Sequence, residues 1–201
     1  MATHQLIKSD NLLLTIPLSN VSEDADRKQI KEDLIETMDH FKGIGLSGNQ
    51  VGIMERVFVM YSNFTKREKI VCFNPKIIFA SETQELMDEG CLSFPGLWLK
   101  VKRPSWIEVE YENENGEVIK DTFTDLTARV FQHEYDHMEG LDFTKKVSRL
   151  RLDRAKKRVS KQRKKLVNMS LSRGGLPEMV LPEGGIDLPY NNGNLYHRAR
   201  Q

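Results

Sequence analysis

The stretch TDLTARVFQHEYDHMEG, residues 124–140, carries apolar and imidazole side chains at helical spacing. Leu126, Val130, His133 and His137 follow at intervals of four, three and four, so on a helix they share one stripe. Thr124 is placed to cap its start and Gly140 to stop it. Side chains four apart on a helix have Cβ atoms about 5–6 Å apart, so both imidazoles can reach one ion. Glu134 flanks that ion without having to bind it. This is H-E-x-x-H: two ligands and a carboxylate placed as a base for a water. Two exposed or packed histidines on an amphipathic helix would account for the imidazoles, but not for the Glu between them.

A third ligand stands upstream in EGCLSFPG, residues 89–96. Cys91 lies in a loop flanked by Gly90 and Pro95, where its thiol is free to point into a site. Cys91, His133 and His137 make a Cys-His₂ set with one position left open, as a catalytic metal requires; a structural zinc wants a fourth protein ligand. His4, His40 and His197 stand in unrelated contexts.

Around these segments the chain reads as α+β: short, mostly antiparallel strands about a central metal-binding helix, with an N-terminal helix and a basic C-terminal helix. Residues 22–42 predict an amphipathic helix with Ile30, Leu34, Met38 and Phe41 on one face, capped by Ser22 and stopped by Gly43. GIGLSGNQVG, residues 43–52, matches neither phosphate-loop spacing, and its Ile44 and Leu46 call for packing. Residues 57–61, 69–73 and 76–80 read as strands, the last two separated by Asn74-Pro75, with Cys72 a small buried hydrophobe. Residues 106–112 and 117–123 form a hairpin around Asn115-Gly116.

The chain has 201 residues, 29% charged and 39% hydrophobic, which describes an ordinary soluble protein. Leu12-Leu13-Leu14 is too short for a membrane span or a signal sequence. Two cysteines make no disulfide framework, so a reducing cytoplasm is the expected compartment. Twelve of the 30 basic residues, but only one of the 29 acidic ones (Asp153), fall within residues 144–168, so the remainder is acidic. Residues 1–169 are read as one catalytic domain. Residues 170–201, rich in Gly, Pro and Asn, are expected to be an extended or partly disordered tail.

Residues 43–50, 89–93 and 132–137 resemble, in order and spacing, the three signature motifs of the peptide deformylase family: a glycine loop ending in Gln, EGCLS, and QHEYDH. Ser47-Gly48 replaces two alanines usual in the first. The resemblance implies hydrolytic removal of formyl from the N-formylmethionine of new polypeptides. It implies Cys91, His133 and His137 on a divalent metal, Glu134 moving the proton, and the Gln50 amide and Leu92 backbone N–H taking up charge on the carbonyl oxygen. Ile44, Leu126 and Val130 are then candidates for the methionine pocket, and Gly45 and residues 96–99 for pairing with the substrate backbone. Thiolate with imidazole suits zinc, Fe(II), Co(II) or Ni(II); the family's habit puts Fe(II) first. Expected partners are N-formylmethionyl nascent polypeptides and, through basic residues 145–165, the ribosome, but no membrane and no sequence-specific nucleic acid. Two rivals share parts of this pattern. A zincin-type peptidase would draw its third ligand from downstream, against Cys91. A non-catalytic ribosome- or RNA-binding module would need neither Glu134 nor an open coordination position.

Overall fold

Val57–Asn63 (β2) shows why this sequence folds into layers. Its first five residues are all buried, so both faces of the strand are covered. Val57, Val59 and Tyr61 point to one side, where they meet Leu34 and Met38 of the helix Arg27–His40 (α1). Phe58 and Met60 point to the other, where they meet Ala128, Val130 and Phe131 of the helix Asp125–Met138 (α2). The Phe58 and Phe131 rings meet edge to face with centroids 5.0 Å apart.

The computed structural model describes residues 3–172. A five-stranded antiparallel sheet runs Gly45–Ser47 (β1), β2, Glu68–Ala80 (β3), Trp106–Glu112 (β6), Val118–Thr124 (β7), with β1 and β7 at its edges. A separate antiparallel pair joins Gln84–Glu89 (β4) to Leu99–Pro104 (β5). The helix Arg149–Ser172 (α3) lays Leu152, Ala155 and Val159 on Leu97, Leu99, Val101 and Phe143, a third apolar cluster under the β4–β5 pair. The α+β class and the antiparallel hairpin of β6 and β7 are as expected.

Several boundaries differ. The first helix starts at Arg27, because the Asp26 carboxylate accepts the Gln29 N–H at 3.0 Å and caps it; Ser22 caps only the turn before it, accepting from Asp24 N. Asn74-Pro75 does not separate two strands. Asn74 takes a φ of +49°, its carboxamide oxygen accepts from Val21 N and its nitrogen donates to Glu112, so β3 continues through a bulge that tolerates the proline. The glycine loop contains strand β1, and β4 was not foreseen, since only Glu89 in it is buried. Helix α3 includes residues 170–172, which the sequence assigned to the tail; the tail from residue 173 onward lies outside the described residues.

Candidate active site

Thr124 stands as the N-cap of α2, its backbone extended as a cap requires, although its hydroxyl turns to Asp125 instead of a backbone N–H. Gly140 ends it with a φ of +66°, and a Cβ there would lie 2.7 Å from the Thr15 carbonyl oxygen, so no other residue fits without a shift. The helix passes between β2 and the β4–β5 pair, which buries its polar face: His133 is 8% exposed, Glu134 4% and His137 1%.

The Cys91 loop brings its thiol to this face. Cys91 Sγ lies 3.4 Å from His137 Nε2, and the ligand atoms of Cys91, His133 and His137 all lie within 4.8 Å of one another. The loop after β1 closes the group. Gln50 Nε2 donates to Cys91 Sγ at 3.3 Å and to Ser93 Oγ at 3.2 Å, while Gln50 Oε1 accepts from Ser47 N at 2.9 Å. Asn49 Nδ2 donates to the His137 carbonyl at 3.1 Å and so anchors the helix end to the same loop.

Glu89 Oε2 lies 3.0 Å from His133 Nδ1, which leaves Nε2 for a metal. Burial lowers the pKa of His133, but hydrogen bonds to Cys91 and Glu89 outweigh it and raise the value well above the usual one. The negative field that would hold a proton there is also one that favours a cation. Burial, then the nearby charges of His133 and Arg103, lowers His137, so it is the neutral imidazole a ligand must be. One sulfur and two nitrogens converging in this field fit a divalent metal of borderline softness.

Glu134 stands outside that set. Its Oε2 has no hydrogen-bond partner among the described residues, and burial raises its carboxyl to about 7, against the opposing charges of His133 and Arg103. Gly45 faces it: a Cβ there would be 2.9 Å from the Glu134 carboxyl carbon and 2.9 Å from Val130 Cγ1. Of the expected pocket residues, Val130 therefore meets Gly45 directly. Leu126 is half-buried one turn earlier on α2, and Ile44 beside Gly45 is 38% exposed. Leu92 packs its side chain towards Gly43. In residues 96–99, Leu97 and Leu99 are core, and Leu99 pairs with Glu89 across the hairpin.

A buried charge network went unseen in the sequence. Arg103 forks onto Glu89 at 2.6 and 2.9 Å and reaches Asp136 at 2.8 Å; Arg129 meets Glu89 at 2.6 Å and the Glu85 carbonyl at 2.7 Å. Lys146 closes on Asp136 at 3.0 Å. The signal was there in LKVKRP: Arg103 falls in phase with buried Leu99 and Val101, an arginine on the apolar side of a strand.

A cysteine sulfur and two imidazoles converging on one point, with a carboxylate beside them, serve metal-dependent hydrolysis, and the fold that carries them defines a class of such hydrolases. Residues 4–153 match the family described as polypeptide deformylase. Peptide deformylase of Pseudothermotoga lettingae is 45% identical over 112 residues, 56% of this chain and 63% of that one. That of Thermotoga neapolitana is 38% identical over 151 residues, 74% of this chain and 84% of that one. The crystal structure of peptide deformylase from Thermotoga maritima is similar at a TM-score of 0.69 and 34% identity, covering 74% of this chain and 99% of that chain. This chain belongs to the polypeptide deformylase family. It is a metal-dependent hydrolase of protein biosynthesis that removes the formyl group from the N terminus of new polypeptides. Among the described residues, no helix is long and apolar enough to cross a membrane.

Proposed function

We propose that Cys91, His133 and His137 hold the metal and that Glu134 carries the proton in hydrolysis of N-formylmethionyl polypeptides, with Fe(II) as the working ion. The observation that carries this reading is Glu134: a fully buried carboxylate raised to about 7, next to His133 yet outside the ligand set. A bound divalent ion supplies Lewis acidity and makes water a nucleophile near neutral pH.

The remaining steps belong to the chain. Glu134 accepts the water proton on its unpartnered oxygen, the hydroxyl oxygen bonds to the formyl carbon, and the carbonyl oxygen becomes negative. The Gln50 side-chain N–H and the Leu92 backbone N–H are its donors; the substrate oxygen takes the place of Ser93 or the thiolate as one acceptor of Gln50. Glu134 then returns the proton to the methionine nitrogen, the C–N bond breaks and formate leaves. Ile44, Gly45, Leu126 and Val130 form the wall for the methionine side chain, and the free edge of β1 pairs with the peptide backbone. Asn49, Glu89 and Ser93 position these groups.

The test is formate release from a formyl-Met peptide together with metal content. Glu134→Gln is expected to keep its metal and lose turnover by roughly 10²–10⁴-fold, whereas Cys91→Ala loses metal and activity together. Metal loss in the first with normal binding in the second overturns the assignment. For the ion, the Fe(II) enzyme should decay in air and the Ni(II) enzyme should not, since iron and its thiolate are both oxidisable. Equal half-lives remove the case for iron.

A further inference from the structure

A 3₁₀ turn, Phe143–Lys146, lies between α2 and α3 and meets the ligand group by two routes. Its first residue is buried, with the Phe143 ring 5.6 Å from the His133 ring, centroid to centroid. Its last reaches the same imidazole through a chain of charges. Lys146 Nζ donates to Asp136 Oδ1 at 3.0 Å, and Arg103 Nη1 donates to Asp136 Oδ2 at 2.8 Å. Arg103 Nε and Nη2 donate to the two oxygens of Glu89 at 2.6 and 2.9 Å, and Glu89 Oε2 stands 3.0 Å from His133 Nδ1.

Each member of that chain fixes the next. Glu89 points at His133 because the Arg103 fork holds both its oxygens, and Arg103 is held from the other side by Asp136. Arg129 gives its charge to Glu89 and its other hydrogen bonds to the Val101 and Glu85 carbonyls, so it does nothing for Asp136. Asp136 therefore has Lys146 and a share of Arg103. Remove the lysine charge, and Asp136 Oδ1 is a buried, unpaired carboxylate oxygen that competes with Glu89 for the guanidinium. The Lys146 side chain is 36% exposed, against 10% or less for Asp136, Arg103 and Glu89, so its own position needs a fixed base. The turn supplies one. Phe143 and Val147 pack into the third apolar cluster on either side of it, and the Asp142 carboxylate accepts Thr144 N at 2.7 Å.

We propose that Lys146 is a positioning residue of the metal centre: by neutralising Asp136 it leaves Arg103 to Glu89, and so holds the His133 imidazole with Nε2 towards the ion. The proposal rests on the reading of His133 as a ligand. It makes the turn between α2 and α3 part of the site, although Lys146 itself lies outside the ligand set.

Lys146→Met removes the charge and keeps the length of the side chain, whereas Lys146→Arg keeps the charge. Co(II) is titrated into the metal-free wild type and both variants, with thiolate-to-cobalt absorption reporting Cys91. Lys146→Met is expected to bind Co(II) about tenfold more weakly, the low end of what an outer partner of a ligand histidine contributes. It should also lower kcat on a formyl-Met peptide with KM unchanged, and broaden the His133 ring N–H proton signal of the Zn(II) form. Lys146→Arg should restore all three. Equal Co(II) affinity and an equally sharp N–H signal in Lys146→Met overturn the proposal. So does a lower urea midpoint without any change in metal affinity, which makes the lysine a structural residue only. A wild type that lacks the thiolate band sinks the ligand reading, and this proposal with it.

Discussion

Gly45 is the residue whose replacement reads out the catalytic geometry most directly. Its missing side chain lets β1 press against the Glu134 carboxyl and Val130, each 2.9 Å from an added Cβ. Gly45→Ala should keep its metal and fold, because Cys91, His133 and His137 are untouched, yet displace the carboxylate. A shift of about 1 Å in a reacting group costs on the order of 10²-fold, so kcat/KM for a formyl-Met peptide is expected to fall by about 10- to 100-fold. Wild-type kinetics in this variant would mean that the seat of Glu134 is not set by β1.

At the scale of elements, the decisive packing is between α2 and the β4–β5 pair, and it is made by charge. Glu89, Arg103 and Asp136 are all at least nine-tenths buried, which burial alone would forbid without partners. Arg103→Met leaves two carboxylates facing each other's field and should destabilise by about 3–5 kcal/mol, the usual cost of breaking a buried pair; urea unfolding measures it. A loss within about 1 kcal/mol would mean water or Lys146 replaces the guanidinium. Acid should find the same network. Burial opposes ionisation of Glu89, but hydrogen bonds from His133 and Arg103 outweigh it and hold the carboxyl far below its ordinary value of 4.5. Above that value the folded and unfolded chains are both ionised and the stabilisation is complete; below it the unfolded chain takes up protons first, so stability falls as pH falls. Thermal melts of the metal-free protein from about pH 6 down to about pH 3 should therefore slope less steeply for Glu89→Gln than for wild type. Parallel slopes would locate the acid sensitivity elsewhere.

For the whole molecule the distinctive feature is an acidic body carrying a cationic helix. Lys156, Lys157, Lys161 and Lys164 are exposed on α3 while Leu152, Ala155 and Val159 hold it to the core. The sequence reading expects this surface to meet ribosomal RNA phosphate, and a substitution of the helix tests that expectation. Replacing the four lysines with Gln preserves the apolar stripe. Ribosome co-sedimentation should weaken, with a slope of log affinity against log salt smaller by up to about 0.9 for each phosphate no longer neutralised, and turnover on a short peptide should not change. Equal co-sedimentation would reduce the helix to a solvated face.

The chemistry proposed for the site is legible in local pattern. His133 and His137 face one point because a helix repeats every 3.6 residues; that period is local, so five letters suffice to place both imidazoles and to leave Glu134 between them. Cys91 followed from donor chemistry, and the order of the three motifs carried the family. The alternating strands of β6 and β7 were equally local. Contacts between residues far apart in the chain are set by the folded molecule alone. Arg103 and Asp136 stand 33 residues apart, and no local pattern states that they meet. Gly45 read as a partner for the substrate backbone, and only the fold sets it against Glu134. Strand β4 has no apolar face to announce it, and Asn74 carries β3 through a proline only because Val21 and Glu112 arrive from elsewhere to hold its side chain. Periodicity reports which face of an element is buried; what it is buried against depends on the folding of the whole chain.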